Sequence, residues 1–279
     1  MSIAEGIKGM MDKFSESVPQ SPDEYIGEDG LLHCSVCHKR TERINSIPEF
    51  GIYSKVRCIC DCRIAEIEAE KEWQRQEERH RQRMVCFAGH EEMMGWTFEK
   101  DDRRKAKLSD AMIRYSDNFE EFRKSGKGLL LHGAVGTGKS YLAACIANRL
   151  IDHDYHVRMT NLSDLINKMQ GTFDGKQDII DGLNSFTLLI IDDLGIERKT
   201  EYMQEMVYNI IDSRYRSGLP FIVSTNLTMD EIKKPKNISD TRIYDRVLER
   251  CHPVAVEGAS RRRENVRESF HDMQAKLGL

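Results

Sequence analysis

No stretch of this 279-residue chain approaches the ~18 consecutive apolar residues that span a bilayer as a helix. The opening residues, Met1-Ser2-Ile3-Ala4-Glu5-Gly6, also lack the basic start and apolar core of a secretory leader. These two absences predict an intracellular, cytoplasmic protein with no membrane contact. An excess of positive charge is missing too. The formal net charge is −4, so any nucleic-acid contact has to come from a local patch. What is present is a charge-rich composition, 32% charged against 39% apolar. The length allows two domains, or one large domain with an appendage.

Cysteine, by contrast, is plentiful. Of the eight, five fall between positions 34 and 62, and in a reducing compartment such clustering argues for metal over disulfides. Cys34-Ser35-Val36-Cys37 is a C-x2-C turn that puts two thiolates on one side of a tight loop. Cys58-Ile59-Cys60-Asp61-Cys62 follows twenty residues later and can close a tetrahedral site. Its C-x-C-x-C spacing departs from the usual ribbon, and five thiols compete for four positions. His33 and His38 are further ligand candidates. Zinc is the expected metal, with a redox-active cluster or free cysteines as the alternatives. A module this small depends on its metal to fold, and it suits docking better than catalysis. Cys86, Cys145 and Cys251 are isolated, and Cys145 reads as a core residue.

The strongest chemical signal is Gly133-Ala134-Val135-Gly136-Thr137-Gly138-Lys139-Ser140, a G-x-x-x-x-G-K-[ST] phosphate-binding loop. Glycines let the backbone curl so that its N–H groups face phosphate oxygens. Lys139 is expected to neutralise the β- and γ-phosphates, and the Ser140 hydroxyl to hold a magnesium ion. The flanks agree. Gly128 to His132 is an apolar run suited to a buried strand, and Leu142, Ala143, Ile146, Ala147 and Leu150 follow at helical spacing. The chain is therefore expected to bind a nucleoside triphosphate.

Around that loop the pattern resolves into segments. Residues 1–30, broken by Pro19 and Pro22, read as a short amphipathic start and a mobile loop, and 31–63 as the cysteine module. Residues 64–92 form a charged helical linker without Gly or Pro up to Met84. Lys71, Arg75, Arg79 and Arg83 make a basic stripe on it, beside Glu66, Glu70 and Glu78. This is either a solvated connecting helix or a face for a partner or nucleic acid. The domain from 93 to 279 opens with a helix over about 103–123, with Met112, Tyr115, Phe119 and Phe122 on one side. A strand is expected over 155–160, and a helix opened by Asn161. Phe186 to Asp193 is an apolar strand ending in two acids, the pattern that delivers Asp192 to a magnesium shell and Asp193 as a base or water-orienting carboxylate. A helix over 202–216 follows, then the strand Phe221 to Asn226, whose polar end belongs at the ligand edge of a parallel sheet. Asn226 either orients an attacking water or caps the next helix. Arg242-Ile243-Tyr244-Asp245-Arg246 and Arg261-Arg262-Arg263 supply guanidinium groups suited to triphosphate charge, although an arginine-rich helix alone would say little.

The ordered set of motifs resembles the AAA+ ATPases, most closely the DnaC-type replicative helicase loaders, with the IstB transposition ATPases as near relatives. The phrases that carry the resemblance are Gly136-Thr137-Gly138-Lys139-Ser140 with Leu142-Ala143-Ala144, Leu189-Ile190-Ile191-Asp192-Asp193-Leu194-Gly195, Ser224-Thr225-Asn226, Arg242-Ile243-Tyr244-Asp245-Arg246 and Gly258-Ala259-Ser260-Arg261-Arg262. They cover about residues 95 to 270. The cysteine-rich front and Thr97-Phe98-Glu99 look like Gram-positive or phage versions. The resemblance implies an α/β fold, a doubly wound parallel sheet of AAA+ type. It matches Asn226 to sensor 1, Arg262 to sensor 2 and Arg246 to an arginine finger that reaches a neighbouring subunit's γ-phosphate, with Arg242 as its companion. The implied cofactors are ATP and Mg2+, beside Zn2+ in the cysteine module. The implied partners are a replicative hexameric helicase, single-stranded DNA and further copies of the chain in a spiral or ring. Asp193 departs from the Asp-Glu of many relatives, so slow hydrolysis is expected. An IstB-like transposition ATPase, or a zinc-containing DNA-binding nucleotide switch, is the alternative.

Overall fold

The computed structural model describes residues 23–47, 52–171, 175–195, 200–235 and 237–277. The expected amphipathic start lies outside them. The chain divides into two compact units, residues 1–77 and 78–279.

The first unit is built from two small antiparallel hairpins. Strand β1 (Glu24–Ile26) pairs with β2 (Leu32–Cys34), with Tyr25 opposite His33. Strand β3 (Glu42–Ile47) pairs with β4 (Ile52–Arg57). The strand at 24–26 corrects the loop expected there. Three residues are too few to show a period, and it is the turn at Gly27 and Gly30, the latter at φ 72°, that folds Tyr25 and Ile26 back onto β2. Among the described residues of this unit, the buried apolar ones are Leu31, Leu32, Cys34 and Cys60. Helix α1 (Asp61–Cys86) begins here and realises the expected charged helix.

In the second unit, α1 ends among core residues at Cys86 and Phe87. Its stripe is partly committed to its own chain. Arg79 Nε donates to Asp154 (3.0 Å), and Arg83 Nε to Asn148 (3.1 Å) while its Nη2 pairs with Asp152. Those two arginines are thus structural, and Lys71 and Arg75 remain exposed. The single helix expected over 103–123 is two, α2 (Ala106–Asp117) and α3 (Phe119–Ser125). The Asn118 side chain caps the Arg114 carbonyl (2.8 Å), and the break swings Phe119 into the core, edge-on to Tyr155 at 4.9 Å.

Strand β5 (Gly128–His132) leads through the glycine loop into α4 (Lys139–Asp152). Then come β6 (Val157–Asn161), α5 (Leu162–Gln170), α6 (Lys176–Leu183) and β7 (Leu188–Asp192). After them follow α7 (Glu201–Ser217), β8 (Phe221–Thr225), α8 (Met229–Lys233), α9 (Ile238–Arg250), β9 (Cys251–Ala255) and α10 (Arg261–Leu277). Helix α6, which periodicity misses, is short and buries only Ile180 and Leu183. The five strands β5 to β9 form one parallel sheet in the order β6-β7-β8-β5-β9. Alternate residues serve opposite faces. Leu129, Leu131, Ile190 and Ile222 pack with α2 and α4, whereas Leu130, Leu189, Ile191 and Val223 pack with α5, α7 and α9. This two-faced burial explains why the strands read as near-continuous apolar runs. Strand β9 is an edge strand, and it carries Pro253 opposite Leu130.

Candidate nucleotide site and cysteine cluster

The sheet order decides the site. Strand β8 lies between β5, which carries the glycine loop, and β7, which carries the two acids. The polar end of β8 is therefore delivered between them. Gly133 (φ 145°) and Gly136 (φ 79°) adopt backbone that L side chains rarely reach. A Cβ on Gly133 would lie 2.6 Å from the Val256 carbonyl oxygen, and one on Gly136 would strike the Ser260 hydroxyl. The Arg261 N–H donates to the Gly136 carbonyl (2.9 Å), so the start of α10 is seated on the loop.

Lys139 is 5% exposed, and all three of its ammonium hydrogens have acceptors: the Gly133 and Ala134 carbonyls, both at 2.9 Å, and Asn226 Oδ1 at 2.6 Å. Burial lowers its pKa, partly offset by Asp193 and Asp192. Ser140 Oγ donates to Asp192 Oδ1 at 3.0 Å. Ser224 Oγ donates to that same oxygen and accepts the Asp193 N–H at 3.0 Å. Asp193 stands at φ 61°, and burial, then the Asp192 charge, raise its carboxyl above the ordinary value. A cavity of about 590 Å³ opens here, lined by Lys139, Ser140, Asp193, Asn226, Arg261 and Arg262 among others, a size suited to a nucleotide. Asn226 does not cap the following helix, because Thr228 does so with a capping box to Glu231.

Arg262 lines the cavity, but Arg246 and Arg242 do not. Arg246 is bound to Asp212 on α7, and Arg242 is exposed. The loop, both acids, Asn226 and Arg262 are thus brought together, and the other two arginines are held apart from their own chain's cavity. Two neighbours of the loop escape sequence reading. Ser224 is visible only as part of Ser-Thr-Asn, with nothing to say that it would bridge the acids. Lys105, whose Nζ donates to the Thr137 carbonyl (3.0 Å), belongs to no motif.

The cysteine cluster is resolved by geometry. The Sγ atoms of Cys34, Cys37, Cys60 and Cys62 all lie within 4.8 Å of one another. Cys58 is outside the group. Its N–H still continues the hairpin ladder to Thr41 (2.8 Å), and its thiol donates to the Arg40 carbonyl. His33 is engaged with Asp29 and the His38 carbonyl, both at 3.0 Å, and His38 Nδ1 pairs with the Tyr25 hydroxyl. The backbone N–H groups of Cys37 and Val36, then the Cys62 thiol, lower the Cys34 pKa to about 7. Four converging soft donors fit a closed tetrahedral zinc site.

A sequence model of the IstB-like ATP binding proteins matches residues 63–269. The chain belongs to this family. Individual proteins extend the likeness. The replicative helicase loader DnaI of Bacillus subtilis is 23% identical over 257 residues, 86% of this chain and 81% of that protein. The replicative helicase loader DnaC of Buchnera aphidicola subsp. Schizaphis graminum is 31% identical over 157 residues, 54% of this chain and 61% of that one. For Escherichia coli DnaC the identity is 28% over 142 residues, 50% and 57% of the two chains. The chain thus spans less than two thirds of the length of these two DnaC proteins. A crystal structure of DnaI superposes with a TM-score of 0.51 at 24% identity, covering 61% of this chain and 92% of that one, which shows that the two share a fold. Among the described residues of this IstB-like protein, no helix is long and apolar enough to cross a membrane.

Proposed function

We propose that this protein is an ATP-hydrolysing loader that binds a hexameric replicative helicase and delivers it to single-stranded DNA. One observation carries the reading. The similarity to DnaI covers 86% of the chain, more than the 202 residues of the second unit, so it reaches into the cysteine-bearing unit. A transposition-type ATPase would give no reason for likeness there.

In this reading, loop N–H groups of residues 133–140 wrap the triphosphate and Lys139 turns from its carbonyl acceptors to the β- and γ-phosphates. Ser140 and Asp192 hold magnesium, which when bound neutralises phosphate charge. Asp193 orients the attacking water and accepts its proton, and Asn226 fixes the geometry between Lys139 and that water. Arg262 meets the phosphates from the same chain, and Arg246, with Arg242 beside it, from a neighbouring copy in a spiral or ring. Cys34, Cys37, Cys60 and Cys62 hold zinc. Residues 31–63 and the helical linker 64–92 dock on the helicase, and residues 93–279 form the ATPase domain. Lysines and arginines on the latter track the DNA backbone, so that contact is salt-sensitive.

The test is the native mass of the protein mixed with the replicative helicase of its own host, in ATP and then in ADP. A stable assembly of one loader per helicase subunit, weakened by ADP or by loss of residues 1–90, is expected. No complex in either nucleotide, with ATP-dependent filaments on DNA alone, would replace this reading with the transposition-type one.

A further inference from the structure

The Arg246 guanidinium is held at three points by its own chain. Nε donates to Asp212 Oδ1 (2.6 Å), Nη2 to the Tyr208 hydroxyl (2.9 Å) and Nη1 to the Arg242 carbonyl (3.1 Å). Its centre also lies 4.8 Å from the Tyr208 ring centroid and 5.6 Å from that of Tyr215. An arginine side chain loses about 2 kcal/mol of rotamer freedom when it is fixed. Here that freedom is already gone before any ligand arrives. A guanidinium has five N–H donors. Among the described residues three are engaged, which leaves one on each η nitrogen for an oxyanion, and the side chain remains 24% exposed.

The holding carboxylate is shared. Asp212 is almost buried, and its second oxygen accepts from Arg216 Nη2 at 2.7 Å. One negative charge is thus divided between two guanidinium groups, and the cluster stays net positive. A carboxylate given to Arg246 alone would cancel the charge that an anion seeks. This one orients it and leaves charge over.

We propose that Asp212 and Tyr208 are positioning residues that aim Arg246, pre-set in the free subunit, at a phosphate of a neighbouring subunit's nucleotide. The inference rests on the finger reading given above. The ring contacts and the three hydrogen bonds together restrict the guanidinium, and the one N–H left on each η nitrogen is the phosphate grip.

The test uses the full chain under assembly conditions, with single-stranded DNA-stimulated ATP hydrolysis and affinity for a fluorescent ATP analogue as separate readouts. Arg246→Ala and Asp212→Asn should each lower kcat about tenfold or more. Tyr208→Phe, which keeps the ring and is the mildest change to the core, should lower it about threefold. Nucleotide affinity should stay within about twofold of the parent in all three. The double variant D212N/R246A should be no slower than R246A alone, and added Lys139→Ala subunits, which keep an intact finger, should restore hydrolysis at D212N sites. Unchanged kcat in D212N and Y208F alongside a slow R246A would overturn this inference and leave the finger standing, as would losses that multiply in the double variant. Unchanged kcat in R246A would remove the finger and this inference together.

Discussion

At the scale of single residues, Asp193 is the polar group of the site held in a conformation that costs stability. Asp193 combines a left-handed backbone with a carboxyl raised by burial and by Asp192. A raised acid favours its neutral form on folding. The stabilisation it gives is present below the ordinary carboxylate pKa and lost as pH rises through the elevated value. Near neutral pH, ionised Asp193 therefore opposes folding. Asp193→Asn, which tolerates the same φ, should raise the melting temperature of the nucleotide-free protein by about 1–3 °C near neutral pH, and the gain should shrink as pH falls. Hydrolysis should drop by about a hundredfold or more, measured beside the melting curves. The cysteines give a second prediction at this scale. Cys58→Ser should keep one zinc per chain, whereas Cys60→Ser should lose it, as read by metal analysis of the purified variants. An equal loss in both would put Cys58 back among the ligands.

At the scale of elements, local pattern and tertiary order part company. The apolar runs of β5, β7 and β8 are legible because a strand buried on both faces needs apolar residues at every position, and their polar ends are legible for the same reason. Nothing in those runs says that β8 lies between the other two, since strand order is set by crossovers and not by composition. The consequence is that Ser224, seated between the acids, is invisible until the sheet is assembled. The break at Asn118 is hidden for a different reason: the apolar period continues through it, and only the side-chain cap to Arg114 shows that the helix stops. Where five thiols competed for four places, spacing alone was silent, and it is the convergence of Cys34, Cys37, Cys60 and Cys62, with Cys58 tied to Thr41 at the end of the hairpin, that separates the fifth. The glycine loop is where sequence and geometry agree most closely. Gly136→Ala should cost about 1–3 kcal/mol through forced backbone strain, and should weaken nucleotide binding because Ser260 and the start of α10 have to shift. Chemical denaturation and a nucleotide titration check the two halves.

At the scale of the whole molecule, the two units are stabilised by different means. The second has an apolar core on both faces of its sheet, whereas among the described residues of the first only Leu31 and Leu32 are buried apolar residues besides its thiols. With zinc at the four thiols and the helicase as partner, as proposed, chelation should unfold the first unit and abolish helicase association, while nucleotide affinity stays within about twofold. Circular dichroism, native mass and a nucleotide titration on one chelated sample read all three. Loss of nucleotide binding under the same treatment would mean that the second unit depends on the first.

Pro253 on the edge strand β9 has a bearing on how copies of the chain meet. Proline has no N–H, so the rim of the sheet is interrupted as a hydrogen-bonding template, and a strand from another molecule cannot zip along it in unbroken register. Edge-to-edge sheet growth, the route by which exposed strands seed insoluble fibres, is disfavoured at that rim. In the proposed spiral or ring, contacts between copies at that rim would have to run through side chains rather than a continuous backbone ladder.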